Sequence, residues 1–290
     1  KLFNVGDDRI QQIDRIQHEI DHVFVYRNEI VNKLIKYFKK DNIGDWNIQT
    51  VLQQMQALID GSGRSALWLS DPEMAIGELG SDLWRLVNGY ADSAANIDEL
   101  NTQTLAIRKQ LTENSETAAC LTEQLNIDDA AGFIASLLEI VRRWSFAALQ
   151  LPEQQAQVAD WLSFKKPART DFKNLVAHEI HTTEQQYSVW SVGTGAHRRR
   201  DGFALTDNRY NQRQVLYEVN HCIYCHDRNT DSCSKGMKNK KDGSFKTNPL
   251  DVTISGCPLE EKISEMHVLK RDGDNIGALA IVMIDNPMCP

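Results

Sequence analysis

The chain has 290 residues, of which 41% are hydrophobic, and its net charge is −8 at pH 7. This length and apolar content suffice for one large or two ordinary domains with a substantial core, which excludes a disordered chain. The acidic balance argues against a nucleic-acid binder, because such a protein needs a dominant basic surface. The longest apolar run, IGALAIVMI, is too short to span a bilayer. We therefore expect a cytoplasmic protein without a membrane span.

The first 165 residues show helical periodicity. Residues 7–40 predict one long helix, since apolar side chains recur every three or four positions and Arg27 alone interrupts them. Further helices are predicted over residues 48–59, 72–111 and 126–151, and from Pro152 onward.

No strand pattern occurs in this part of the chain, so we predict a helical bundle domain over residues 1–165. A dimerising coiled coil uses nearly the same spacing, so a homodimer formed through this domain stays open. The domain is also a candidate docking platform for a partner subunit.

The composition changes at SFKKPARTDF, and we interpret residues 166–205 as a linker and lead-in. AHEIH is not a metalloprotease motif, because His178 and His181 are three positions apart and the motif requires four. We expect both to be structural histidines. HRRR, residues 197–200, is interpreted as a solvated loop. No strand is followed by G-x-G-x-x-G, so we expect no dinucleotide site and no hydride transfer by this chain alone.

All but one of the six cysteines follow residue 220. Cys222 and Cys225 form a Cys-x2-Cys pair, and two sulfurs at that spacing can turn inward onto one metal centre. Five lysines lie between Cys233 and Cys257, namely Lys235, Lys238, Lys240, Lys241 and Lys246. We interpret this stretch as a solvated surface insertion, with positive charge beside an anionic cluster as the alternative. The isolated Cys120 is expected to be a small buried side chain.

Cys257 stands directly before a proline, and proline favours the first turn of a helix. Apolar side chains from Leu259 to Leu269 recur at helical spacing behind it. We therefore expect Cys257 at a helix N-terminus, where the helix dipole favours a thiolate. A second short helix is predicted over NIGALAIVMID, ending before Pro287.

HCIYCHDRNTDSCSKG, followed by GCPLEEKISEMHVLKRDGDNIGALAIVMIDNPMCP, resembles the N-terminal helical ferredoxin domain of glutamate synthase small-subunit-like, FAD- and NAD(P)H-dependent iron–sulfur oxidoreductases. The resemblance covers about residues 197–290. It implies an all-α fold in which a long-helix bundle precedes a partial α-helical ferredoxin-like domain at residues 206–290. It also implies that Cys222, Cys225 and Cys233 bind one 4Fe–4S cluster and that Cys257 begins a second.

The family's later cysteine group is absent from these residues, and Cys289 comes too early to be assigned as a ligand. The resemblance therefore implies clusters that are incomplete in this chain. FAD and NAD(P)H would bind to missing C-terminal flavin modules or to a partner subunit. We predict an N-terminal electron-transfer region that is not catalytic alone.

The alternative is a helical assembly or docking module with a structural zinc site. The same four cysteines would supply its ligands, and His221 and His226 are nearby substitutes.

Overall fold

The computed structural model describes residues 7–39, 43–89, 95–167, 169–173, 175–176, 178–192, 202–203, 209–286 and 288. The chain divides into two compact units, Lys1–Lys165 and Lys166–Pro290. The described residues are mostly α-helical, as predicted, but one short β-hairpin was not expected.

The N-terminal unit is built from helices alone in its described part. Helix α1 (Asp7–Glu19) continues through π-helical turns at Ile20–Phe24 and Tyr26–Ile30 and a 3-10 turn at Val31–Lys33 into α2 (Leu34–Tyr37). The remaining helices are α3 (Ile48–Gly61), α4 (Ser65–Ser70), α5 (Pro72–Gly89), α6 (Ala95–Asn114), α7 (Glu116–Leu125), α8 (Ala130–Gln150) and α9 (Pro152–Gln157). The predicted absence of strands is confirmed for the described residues of this unit.

Two boundaries differ from the prediction. The helix expected over residues 72–111 is two helices, since α5 ends at Gly89 and α6 begins at Ala95. The helix expected over residues 126–151 begins at Ala130, after Asn126 adopts a left-handed conformation (φ 43°) that ends α7. The predicted starts at residue 48, at Pro72 and at Pro152 are confirmed.

The burial pattern of the first helix departs from the predicted apolar stripe only near its end. Ile30 and Leu34 are buried, as the spacing predicts. The predicted stripe continues from Leu34 to Tyr37, but Tyr37 is 53% exposed and Phe38 is the buried residue, at 3%. Arg27 is buried although it interrupts the apolar pattern.

Helix α5 packs closely against these π-helical turns. A Cβ atom at Gly80 would lie 2.8 Å from Tyr26 Cδ2 and 3.2 Å from Ile30 Cδ1, so only glycine permits this approach. Tyr26 is fully buried, and its hydroxyl lies 2.6 Å from Ser145 Oγ on α8. We assign Tyr26 as the donor of this bond, because the Ser145 hydroxyl hydrogen is used elsewhere. Ser145 Oγ in turn donates to the Val141 carbonyl at 2.7 Å. Burial raises the pKa of Tyr26 far above its usual value, so its hydroxyl stays protonated and available as a donor.

Short polar side chains begin several of these helices. Asn47 accepts from the Thr50 N–H at 3.2 Å, and Asp129 accepts from the Gly132 N–H at 2.6 Å. Asp71 accepts from the Met74 N–H at 3.1 Å, directly before Pro72. Each cap satisfies a backbone donor that the helix leaves without a partner, which is worth about 1 kcal/mol.

An aromatic cluster closes the N-terminal unit beside the point where the chain leaves it. Trp68 on α4, Trp144 on α8, and Trp161 and Phe164 after α9 lie with ring centroids 5.9–6.4 Å apart. The Ser163 N–H between the last two donates to the buried Glu73 carboxylate on α5 at 2.6 Å. These contacts hold the last residues of the unit against three of its helices.

The C-terminal unit contains the unpredicted hairpin and four helices in its described part. The elements are β1 (Glu179–Thr182), β2 (Ser188–Ser191), α10 (Gln212–Val219), α11 (Ser232–Lys235), α12 (Ile263–Arg271) and α13 (Asn275–Asp285). The strands pair antiparallel with Ile180 opposite Trp190, inside the segment predicted to be a linker. The His178 ring stacks on the Trp190 ring with their centroids 4.3 Å apart. His181 Nε2 lies 3.4 Å from Glu179 Oε2. Residues 197–200 lie outside the described residues.

None of the helices described in either unit combines the length and the apolar character needed to cross a membrane.

The close packing at Gly80 predicts a selective stability loss. Gly80→Ala should lower the free energy of unfolding by about 1–3 kcal/mol, because its methyl group overlaps the buried Tyr26 ring. Urea unfolding followed by circular dichroism measures this. Gly89→Ala, at the end of the same helix, is the matched control, since its Cβ meets no atom within 4 Å. Equal losses in both variants would contradict the packing described.

The direction of the Tyr26–Ser145 hydrogen bond predicts that removing its donor and removing its acceptor lower the free energy of unfolding by different amounts. Ser145→Ala leaves the Tyr26 hydroxyl buried without its acceptor, whereas Tyr26→Phe leaves Ser145 still bonded to Val141. We expect Ser145→Ala to cost about 1–3 kcal/mol and Tyr26→Phe about 0.5–1.5 kcal/mol. Urea unfolding of both variants measures the difference, and a larger loss in Tyr26→Phe would show that the donor is assigned wrongly.

Candidate metal centre

The Cys222–Cys225 pair lies in a tight turn after α10. Tyr224 between them has φ 48°, a left-handed conformation that reverses the chain, and Cys225 then opens a 3-10 turn. The Tyr224 N–H donates to Cys222 Sγ at 3.4 Å. The Arg271 guanidinium of α12 lies 4.9 Å from the Tyr224 ring centroid. The turn therefore places a backbone donor on the first sulfur and is held from outside by α12.

The second sulfur of the pair receives its own backbone donor. The Ser232 N–H donates to Cys225 Sγ at 3.3 Å, which ties the pair to the start of α11. Asp231 caps this helical turn by accepting from the Ser234 N–H at 3.3 Å. Cys225 is 8% exposed, whereas Cys233 is exposed. Each sulfur of the pair thus accepts one backbone N–H.

Ser264 joins the cysteine turn to α12. It is fully buried, and its Oγ lies 3.5 Å from Cys222 Sγ and 2.5 Å from His226 Nδ1. His221 lies apart from this contact, because its Nδ1–H donates to the Tyr217 carbonyl at 2.8 Å. Of the two histidines named as substitute ligands, His226 therefore lies beside a cysteine. No sequence pattern points to Ser264.

Cys257 reaches the other cysteines through the backbone. Its N–H donates to the Cys233 carbonyl at 2.9 Å. Two glycines with positive φ make this approach possible, because a Cβ at Gly256 would lie 2.4 Å from the Ser234 carbonyl oxygen and one at Gly236 would lie 2.5 Å from the Ile254 carbonyl oxygen. The residues that flank Cys233 and Cys257 thus pack backbone against backbone.

The expected helix start at Cys257 is wrong. Helix α12 begins only at Ile263, and a separate turn follows Cys257, in which the Glu260 N–H donates to the Cys257 carbonyl at 3.0 Å. Glu260 has φ 52°, a left-handed conformation that a helix cannot pass through. The dipole of α12 therefore does not act on the Cys257 thiol. The predicted helix over NIGALAIVMID is confirmed as α13.

Electrostatic coupling links the cysteines of this region. Partial burial raises the pKa of the Cys233 thiol, and Cys225, Asp231 and Cys222 raise it further through negative charge. A bound cation would relieve that repulsion. Across the residues that the structure describes, no three or more histidine, cysteine, aspartate or glutamate side chains are placed to hold a metal ion. The donor types and N–H···S bonds fit a thiolate-bound metal, but the sulfurs are not gathered into a coordination shell.

Cys120 stands apart from these four cysteines. Cys120 on α7 is exposed, so the expectation that it is buried is wrong. Ala118 and Leu121 occupy the core-facing positions of that helix, and Cys120 lies between them on the outer side, where the Gln124 amide donates to its sulfur at 3.5 Å. Cys289 lies outside the described residues.

No protein-family model matches the chain, and no solved structure matches it. The uncharacterized protein RP005 of Rickettsia prowazekii (strain Madrid E) is 38% identical over 77 residues. The match covers 24% of this chain and 26% of the relative, so the chain spans about a quarter of that protein's length. The resemblance to glutamate synthase small-subunit-like enzymes thus stays a prediction.

The close backbone contact at Gly256 predicts that adding a methyl group at this position destabilises the cysteine region. In Gly256→Ala, the new Cβ clashes with the backbone, and the positive φ costs about 1–2 kcal/mol more. We expect residues 233–257 to become more sensitive to limited proteolysis. Gly243→Ala is the matched control, since Gly243 also has positive φ (73°) but its Cβ would meet no atom within 4 Å. Equal cleavage rates in the two variants would show that the close backbone contact at Gly256 does not stabilise residues 233–257.

Proposed function

We propose that the C-terminal unit is the electron-transfer region of a flavin-dependent iron–sulfur oxidoreductase, with a helical ferredoxin-like domain over residues 206–290. One observation carries this proposal: the four cysteines named from the sequence belong to one hydrogen-bonded framework. Backbone N–H groups bond the sulfurs of Cys222 and Cys225, and the Cys257 N–H bonds the Cys233 carbonyl.

The cysteines take distinct roles in this proposal. Cys222, Cys225 and Cys233 are ligands of one 4Fe–4S cluster, and Cys257 is a ligand of a second. Such a cluster, when bound, supplies one-electron transfer. The N–H groups of Tyr224 and Ser232 stabilise negative charge on sulfur, which also tunes a reduction potential. FAD and NAD(P)H belong to flavin modules or a partner subunit outside these residues.

A structural zinc site is the second candidate. The observation that favours it is the arrangement of the cysteines as two pairs, one in a tight turn and one joined by a backbone hydrogen bond. Four sulfurs in two such pairs suit tetrahedral zinc. His226 could replace one sulfur, because it shares the Ser264 contact with Cys222.

The two candidates differ in metal content. The protein expressed in full from its gene and purified without oxygen should be brown, and should contain iron and acid-labile sulfide rather than zinc. Cys225→Ser should remove most of this iron, because it deletes a ligand. Cys120→Ser is the matched control and should retain the iron, since Cys120 lies on the outer side of α7.

Metal analysis and far-ultraviolet circular dichroism are measured on the same samples. Zinc without sulfide would support the structural site and contradict the electron-transfer role. Equal loss of iron in both variants would show that Cys225 is not a ligand. An unchanged helix signal in Cys225→Ser would confirm that the bundle folds independently of the metal, because it is held by apolar packing.

A further inference from the structure

The lysine-rich residues between the cysteines fold into a defined lobe. We call residues 235–256 the basic lobe. Three of its chain segments are joined by backbone bonds, from Met237 N–H to the Ile254 carbonyl at 3.0 Å, from Lys246 N–H to the Met237 carbonyl at 2.9 Å, and from Ile254 N–H to the Lys246 carbonyl at 2.8 Å. Lys238 pairs with Phe245 in an antiparallel bridge. The lobe is thus internally bonded rather than an open loop.

Its charge is opposite in sign to that of the chain. The side chains of Lys235, Lys238, Lys240, Lys241 and Lys246 are all exposed, and none forms an ion pair with another described residue. The lobe also contains two aspartates, Asp242 and Asp251, which leave it with a net positive charge. Hydrogen bonds from the Ser244 hydroxyl and N–H hold the pKa of Asp242 below its usual value. An acidic protein with a net charge of −8 therefore presents a concentrated positive surface here.

Apolar side chains are exposed among these lysines. Met237 is 42% exposed, Phe245 40%, Leu250 46% and Val252 58%. The Lys238 ammonium lies 5.3 Å from the Phe245 ring centroid, so charge and apolar surface are adjacent. Apolar groups rimmed by charged groups are characteristic of protein interfaces. A purely solvated insertion would not need the apolar side chains.

The lobe is attached directly to the cysteine framework. Lys235 lies two residues after Cys233 on α11, and Cys257 follows the last residue of the lobe. The Cys257 N–H to Cys233 carbonyl bond closes its base. A partner bound to the lobe would therefore be held next to the candidate metal centre.

We propose that the basic lobe is the docking surface for an acidic protein that exchanges electrons with the cysteine site. The electron exchange rests on the proposed function, whereas the docking does not. The lobe has lysines and no arginine, tryptophan or tyrosine, so it lacks both the bidentate phosphate donors and the larger stacking rings that nucleic-acid sites favour. Weak electron-transfer complexes use small interfaces that charge steers together.

The test measures binding of the full-length protein to an acidic flavodoxin by biolayer interferometry. Raising the salt from about 20 to about 200 mM should weaken binding at least tenfold, because screening weakens charge steering. Lys240→Glu with Lys241→Glu should weaken low-salt binding at least tenfold. Lys36→Glu with Lys39→Glu, which makes the same charge change at exposed positions of the N-terminal unit, should alter it less than twofold.

Several outcomes would overturn the proposal. These are equal weakening by the two double variants, no binding to flavodoxin, or tighter binding to duplex DNA or to vesicles with 20% phosphatidylserine. Lys240→Gln with Lys241→Gln, which removes charge without reversing it, should give an intermediate loss if the lobe remains folded. If the protein contains no iron but still binds flavodoxin through the basic lobe, the docking proposal is supported and the electron-transfer function is refuted.

Discussion

The hydrogen bond from the Cys257 N–H to the Cys233 carbonyl is the contact on which the C-terminal site depends. This bond joins the two ends of the segment between Cys233 and Cys257. The two cysteines are therefore far apart in sequence but adjacent in the fold. The entropy of closing such a loop grows only slowly with its length. The limiting requirement is local instead: Gly236 and Gly256 must let two backbones meet without a side chain between them.

Much of the N-terminal unit could be predicted from sequence, because burying an apolar stripe requires the same spacing everywhere. The first helix shows the limit of that reasoning. A spacing of three or four residues allows either Tyr37 or Phe38 to follow Leu34 in the core, and Phe38 is the buried one. The sequence also does not reveal the π-helical turns, whose Tyr26 contacts Gly80 and Ser145 on two other helices. The break between Gly89 and Ala95 likewise interrupts a pattern that looks continuous.

The candidate metal centre, too, could be predicted from the sequence only in part. Spacing and the family resemblance predict Cys222, Cys225, Cys233 and Cys257 as metal ligands, and that assignment stays a prediction. Spacing could not show that Ser264 lies between Cys222 and His226, since that contact is set by the docking of α12. It also failed at Cys257, where the proline opens a separate turn and a left-handed Glu260 delays the helix. The five lysines of the basic lobe are exposed, as predicted, but the sequence does not show that exposed apolar side chains lie beside them, since that follows from the fold of the lobe.

The distribution of tryptophan gives the two units separate optical signals. Trp46, Trp68, Trp84, Trp144 and Trp161 belong to the N-terminal unit, and Trp190 belongs to the C-terminal one. Trp144 is 5% exposed and Trp161 is 9% exposed, whereas Trp190 is 65% exposed. Indole emission shifts to longer wavelength when water surrounds the ring, so the shift on denaturation comes from the N-terminal unit. The cysteine region can therefore lose its structure while the intrinsic fluorescence of the protein still reports a native fold.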